Sequence, residues 1–223
     1  MVPPALAYFA IHTDDIPLAR VSVRQCRLYC EVLKTNSGCW KHIVNDEEGP
    51  GRKKDEGLWS TSNGWVAAGM CRVLASLRNS RFKDDTRKEQ KSLIQKITGI
   101  LDGAMALDTD PSGLLRNRLD DESWFGEAAG TSLLAATCMR IAVLEPGLGG
   151  KYMQWAEEKM KIVLEKFVDR KTGVVSPVVN PKKDEQRTPL EGVSPEAQAF
   201  VVLMYAAWRD WVGWRDMGHS GVL

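Results

Sequence analysis

The residues of this sequence whose types could bind or transform a ligand gather in three stretches. The first holds Trp40-Lys41-His42 and then Trp59-Ser60-Thr61-Ser62-Asn63-Gly64-Trp65. The second is Asp120-Asp121-Glu122-Ser123-Trp124-Phe125-Gly126-Glu127. The third holds Arg187-Thr188-Pro189 and Ser194-Pro195-Glu196-Ala197-Gln198. Trp offers a flat apolar face and a single N–H, which suits a ligand with both apolar and hydroxylated surfaces, such as a sugar ring. Carboxylates, His, Asn and Gln beside it can bind hydroxyls. Trp40, Trp59, Trp65 and Trp124 all stand in these stretches, and the competing reading is that they plug one end of a helical bundle. His42 is the one His among them, His12 and His219 lying elsewhere. A single His serves either a structural bond or proton transfer, and both readings stay open. Asp120-Asp121-Glu122 could supply a general acid or a metal ligand, or simply charges favourable at a helix start. Glu127 and Glu196 each stand where a helix begins and read as caps. Gly51-Arg52-Lys53-Lys54-Asp55 and Lys182-Lys183-Asp184-Glu185 read as solvated loop.

The elements that must position these residues are helices, and no convincing strand is predicted. Two kinds alternate. Ala156, Met160, Val163, Leu164 and Phe167 form an apolar stripe at helical spacing, with Glu157, Glu158, Lys161 and Lys166 opposite. Leu93, Ile94, Ile97, Ile100 and Leu101 form another, and the segment from about Asp15 to Leu33 a third. The other kind is apolar or small nearly all round: Pro3 to Ile11, Trp65 to Met70, Ala128 to Met139, and Ala199 to Trp208. Such helices must be buried on every side. Links from buried to amphipathic helices are short, and links back are about twenty residues or longer, a length that signals function inside a compact domain. Each long link opens alike, with a polar turn, a Gly and two apolar residues, at Gly38, Gly113 and Gly173. The pattern is an internal repeat of helical hairpins. It predicts an all-α chain, an α/α toroid of about seven helices in alternating inner and outer layers spanning residues 1–212, with a plain solenoid as the competing architecture. A tail follows at 213–223. The long loops emerge on one rim, where their polar and aromatic residues share a pocket.

Composition agrees. The chain has 223 residues, 43% apolar and 26% charged, with 30 basic and 29 acidic side chains. That balance argues against a nucleic-acid partner, and no run of apolar residues is long enough for a membrane span. Eight Trp stand against four Tyr and five Phe. The five cysteines, Cys26, Cys30, Cys39, Cys71 and Cys138, have no pairing signature and read as small buried hydrophobes. No metal and no cofactor are expected. The first residues lack the basic segment and long apolar stretch of a signal peptide. If Met1 is the true start the expected location is cytoplasmic; if the chain is the later part of a longer one with a leader, it is secreted.

Gly57-Leu58-Trp59-Ser60-Thr61-Ser62-Asn63-Gly64-Trp65, following Gly38-Cys39-Trp40-Lys41-His42, resembles the unsaturated rhamnogalacturonyl hydrolases. These are the six-hairpin glycosidases of glycoside hydrolase families 105 and 88, and the likeness is to their fungal members. Trp124 to Thr131 and Ser194 to Phe200 are similar to the same group, so the resemblance runs from Pro3 to about Val212. It implies a toroid of six hairpins and a substrate bearing the unsaturated uronate that a lyase leaves on pectin fragments. It also implies hydration chemistry, an exception to the usual two-carboxylate glycosidase scheme. An Asp protonates the ring double bond, water adds at the neighbouring carbon, and the hemiketal opens to release the sugar. On that likeness His42, Trp59, Asn63 and Trp65 line the substrate pocket, with Trp40 and Trp124 beside them. Family members with a binding Arg in the Trp-led run carry it where this chain has Thr61, and Lys41 or Arg187 are the stand-ins considered. The family's catalytic Asp lies a few residues before the segment matching Met1-Val2-Pro3-Pro4. The catalytic residue is therefore unknown here, and the expectation is an N-terminally truncated glycosidase with little or no activity. The alternative is a non-catalytic carbohydrate-binding or interaction protein derived from that fold. A terpene cyclase is disfavoured, since Asp120 to Trp124 lacks the spaced acidic pair of a magnesium–diphosphate site. The expected partners are an oligosaccharide and, through the exposed flanks of inner helices, further copies of the chain.

Overall fold

A computed structural model describes residues 2–44, 54–180, 182–183 and 185–218. Gly51, Arg52, Lys53, Asp184 and His219, named above, lie outside the described residues. Seven α-helices account for most of what is described: α1 (Val2–His12), α2 (Ile16–Leu33), α3 (Ser60–Arg78), α4 (Arg87–Ala106), α5 (Ala128–Leu144), α6 (Gly149–Ile162) and α7 (Pro195–Asp216). The inner row is α1, α3, α5 and α7, each packed on the next; α2, α4 and α6 pack outside on the inner helix that precedes them. This is an incomplete α/α toroid, and its helices alternate as the apolar pattern predicts.

The physical reason shows in the burial. In α5 every residue from Ala128 to Met139 is buried, because neighbours cover it on both sides and outside. Outer helices bury one stripe: Ala19, Val23 and Cys26 in α2, and Leu93, Ile97, Ile100 and Leu101 in α4. The two end helices are not buried on all sides but keep the exposed flanks expected of inner helices in an incomplete toroid. Tyr8 and Phe9 of α1, and Val202 and Tyr205 of α7, are exposed. Each of these helices has an inner neighbour on one flank only, so an apolar face is left open.

Local chemistry sets the helix ends. Asp15 Oδ1 accepts the Leu18 N–H at 2.8 Å to start α2, and Ser194 Oγ accepts the Ala197 N–H at 3.2 Å to start α7. Helix α7 continues to Asp216, into the segment expected as a tail. The repeated turns are real. Gly38, Gly113 and Gly173 adopt left-handed φ values of 91°, 84° and 73°, which only glycine takes at no steric cost.

One expectation needs correction, for the long loops contain extended chain. Strand β1 (Leu115–Arg116) pairs antiparallel with β2 (Gly126–Glu127). Around it, Ile43 bridges Asp55 and Trp59 bridges Arg118. The chain at 55–59 therefore runs between 41–43 and 117–119. These two- and three-residue pairings are too short for any periodicity to announce them; they form because loop backbone held against the helix ends must satisfy its N–H and C=O groups.

Candidate functional site

That ribbon carries the polar cluster. His42 and Asp55 face each other across its first pair, with His42 Nδ1 2.9 Å from Asp55 Oδ2. The same oxygen lies 2.7 Å from Arg118 Nη2, and Asp55 Oδ1 accepts the Gly57 N–H at 3.1 Å. Burial acts to raise the Asp55 pKa, but the His42 bond and the Arg118 charge outweigh it and hold the carboxyl below its ordinary range. Trp59 packs edge-on to the His42 ring at 4.7 Å between centroids, and its Nε1–H donates to Asn117 Oδ1 at 2.8 Å. The Arg118 guanidinium lies 5.9 Å from the Trp59 ring and 5.8 Å from the Trp124 ring, within cation–π range. Arg187 covers Trp124 at 5.2 Å and pairs with Asp121 at 3.3 Å. Bonds from Ser123 hold the Asp121 carboxyl low. Together Asp55, Arg118, Asp120, Asp121, Trp124 and Arg187 border an open cavity of about 540 Å³ on the loop face.

The six residues singled out in the sequence divide into two groups. His42, Trp59 and Trp124 belong to this cluster. Trp65 and Trp40 instead border a second cavity of about 400 Å³, an apolar groove between α1, α2 and α3 with Pro3, Pro4 and Met70. Trp65 also packs on Phe200 at 5.0 Å. Trp40 is only 2% exposed. Asn63 is fully buried and its amide is spent on backbone: Oδ1 accepts the Trp40 N–H at 2.7 Å, and Nδ2 donates to the Trp40 and Trp59 carbonyls, each at 3.0 Å. Asn63 is thus placed to hold Trp40 and Trp59 in register.

Thr61 is also fully buried. Of the two cations considered as stand-ins for an Arg there, Lys41 pairs with Glu56 at 2.8 Å and Arg187 lies over Trp124. Asp55, read as solvated loop, is a correction: it is the hub of the cluster. Arg118 and Asn117 were missed altogether, since isolated polar residues in a loop carry no spacing signal.

Of the two helix-entry carboxylates read as caps, Glu127 caps α5, whereas Glu196 lies in the first turn of α7, which Ser194 caps. Glu127 accepts the Gly130 N–H at 2.6 Å and the Val179 N–H at 3.3 Å. Its complete burial outweighs those bonds and raises its pKa to about 7, with the nearby Glu196 charge adding to the rise. Glu196 accepts the Trp65 Nε1–H at 2.9 Å. All five cysteines are free, and burial raises Cys26 to about 11. Among the described residues no group of His, Cys, Asp and Glu is arranged to hold a metal ion, and no helix is long and apolar enough to cross a membrane.

The model of Glycosyl Hydrolase Family 88 matches residues 1–208. A comparison with curated proteins gave no match. Among solved structures, a possible GH105 family member from Klebsiella pneumoniae is similar at 20% identity and TM-score 0.75, over 92% of this chain and 53% of that one. A family 105 glycoside hydrolase from C. acetobutylicum is similar at 14% identity and TM-score 0.72, over 93% and 62% respectively. An unsaturated glucuronyl hydrolase from Bacillus sp. GL1, described as responsible for degradation of glycosaminoglycan, is similar at 12% identity and TM-score 0.70, over 95% and 57%. The chain therefore spans between 53% and 62% of the length of these three relatives. At such identities the likeness establishes the fold.

Proposed function

This chain belongs to glycosyl hydrolase family 88, and from that premise we propose that its loop face is the sugar-binding side of an unsaturated uronyl hydrolase of the rhamnogalacturonyl type. The ligand is an oligosaccharide from pectin that ends in an unsaturated uronate. The observation that carries this reading is the single cluster in which His42, Trp59, Arg118 and Trp124 meet beside an open cavity. Aromatic faces of that kind stack on sugar rings, and the flanking carboxylates and guanidinium groups match hydroxyl and carboxylate groups.

The reaction proposed for the fold is hydration. A carboxylic acid protonates the ring double bond, water adds at the neighbouring carbon, and the hemiketal opens to expel the leaving sugar. The family resemblance assigns the proton-donating Asp to none of residues 1–223. To the polypeptide of residues 1–223 we therefore assign binding without turnover. The same polypeptide is proposed to self-associate through the open faces of α1 and α7.

Calorimetry with an unsaturated rhamnogalacturonan disaccharide, run beside a product-release assay, tests the assignment. Saturable binding without product is the expected result. Turnover comparable with that of a full-length family member overturns the non-catalytic assignment, and absence of any binding overturns the sugar-facing reading of the rim.

A further inference from the structure

Arg187 rests on Trp124 at the border of the loop-face cavity. Its guanidinium carbon lies 5.2 Å from the centre of the indole ring. Trp124 is only 7% exposed, so the ring serves as a bed for the guanidinium. Nη1 donates to Ser123 Oγ, and Nη2 donates to Asp121 Oδ2 at 3.3 Å. Ser123 in turn gives its hydroxyl hydrogen to Asp121 Oδ1 at 2.5 Å. A guanidinium carries five N–H groups in one plane. The Nε–H and one hydrogen on each terminal nitrogen therefore have no partner among the described residues. More than half of the side chain, 56%, is exposed.

The other cations of the rim are placed differently. Arg118 is committed to Asp55 at 2.7 Å, with 7% of its side chain exposed. Lys54 and Lys41 share Glu56, at 3.0 and 2.8 Å, and each is a point charge on a flexible stem. Thr61, where some family members carry Arg, is fully buried. Arg187 alone among these combines exposure, spare donors and a fixed pose. Its pairing with Asp121 is long and open to water, and such pairs hold weakly.

We propose that Arg187 is a specificity-determining residue of this cavity: its guanidinium fork receives the carboxylate of an acidic sugar, the uronate of the substrate. The proposal rests on the sugar-facing reading of the rim and names the group that reads the acid. Two parallel N–H···O bonds to one carboxylate are what a guanidinium edge offers. Trp124 and Ser123 already order the long side chain, which lowers the entropy lost on binding. Asp55, Asp120 and Asp121 border the rest of the cavity. They repel an anion placed against them and suit hydroxyls, which can donate. The carboxylate is thereby directed to the guanidinium.

Calorimetry with two ligands tests this. One is the unsaturated rhamnogalacturonan disaccharide, and the other is the same disaccharide with its carboxyl reduced to a primary alcohol. The readout is the ratio of the two affinities. Wild type is expected to prefer the acid form about tenfold or more, the scale of one charge-assisted bond. In R187Q the ratio should fall to near one, and R187K, which keeps the charge and loses the fork, should fall between. A wild type that binds both forms alike overturns the proposal, and this arm needs no variant to fold. A ratio unchanged in R187Q overturns it too, including the case where both affinities drop together because Trp124 has lost its cover. In each of these outcomes the sugar-facing reading stands. A wild type that binds neither form refutes that reading, and the proposal with it.

Discussion

The indole Nε1–H of Trp65 in α3 donates to the Glu196 carboxylate of α7 at 2.9 Å. The bond joins the loop-side ends of two inner helices that both pack on α5. Sequence separation between the partners is 131 residues, so the bond closes a long loop and is formed only when the arc is assembled. E196A leaves a half-buried indole donor without its charged acceptor. The expected cost is about 1–2 kcal/mol in chemical denaturation, with E196Q recovering most of it.

Glu127 makes stability depend on pH in an unusual sense. Its pKa is about 7 in the folded chain against an ordinary 4.5. The folded state therefore holds the proton more tightly than the unfolded state. The stabilisation is complete below pH 4.5 and is lost as pH rises through about 7. Its full size is about 3 kcal/mol. Denaturation series between pH 4.5 and 7.5 should show this decline in wild type, and E127Q should flatten it. The carboxylates held low, such as Asp55 and Asp121, act in the opposite sense and at lower pH.

Lys159 is a buried cation that fastens the second long loop to α6. Its Nζ lies 2.5 Å from Asp108 Oδ2 and donates to the Gly113 carbonyl at 2.8 Å, and Trp155 Nε1 donates to the same Asp108 oxygen at 2.8 Å. K159M strands the Asp108 charge where only 13% of its side chain is exposed. A loss of about 3–5 kcal/mol is expected in equilibrium unfolding. A loss under 1 kcal/mol, with cooperative unfolding retained, contradicts the role given to this residue.

Two glycines of α4 should respond to alanine with opposite signs. A Cβ on Gly103 would meet the Ser37 carbonyl oxygen at 2.3 Å, whereas one on Gly99 meets nothing within 4 Å. G99A should stabilise by about 1 kcal/mol through helix propensity. G103A should destabilise, because the first glycine turn must back away from the helix. Melting temperatures of the two variants provide the comparison.

The end helices predict association. Tyr8 and Phe9 on α1 are 74% and 58% exposed, and Val202 and Tyr205 on α7 are 67% and 52%. Apolar faces of that kind favour pairing. Sedimentation velocity should show mass rising with concentration, and V202E/Y205E should suppress the rise without lowering the melting temperature. A monodisperse monomer at high concentration rules the association out.

The amino-acid sequence by itself determined the helical layers and the loop face. The stripe at Leu93, Ile97 and Ile100 makes α4 one-sided, and the small apolar run from Ala128 to Met139 forces α5 to the centre. The turns at Gly38, Gly113 and Gly173 announce the repeat, since glycine marks a left-handed backbone. These features follow from local periodicity and steric freedom, which act over a few residues. Tertiary structure alone decided the site. Asp55 looks like any charge in a polar loop until Arg118, 63 positions later, is folded against it. Asn63 stands inside a ligand-like motif, yet its amide is spent on the Trp40 and Trp59 backbone. Trp65 and Trp59 lie six positions apart, yet Trp65 borders the apolar groove while Trp59 packs on His42 beside Arg118. Hydrogen bonds between distant loops are selected by burial once the helices have packed, and no spacing along the chain encodes which partner a polar side chain meets.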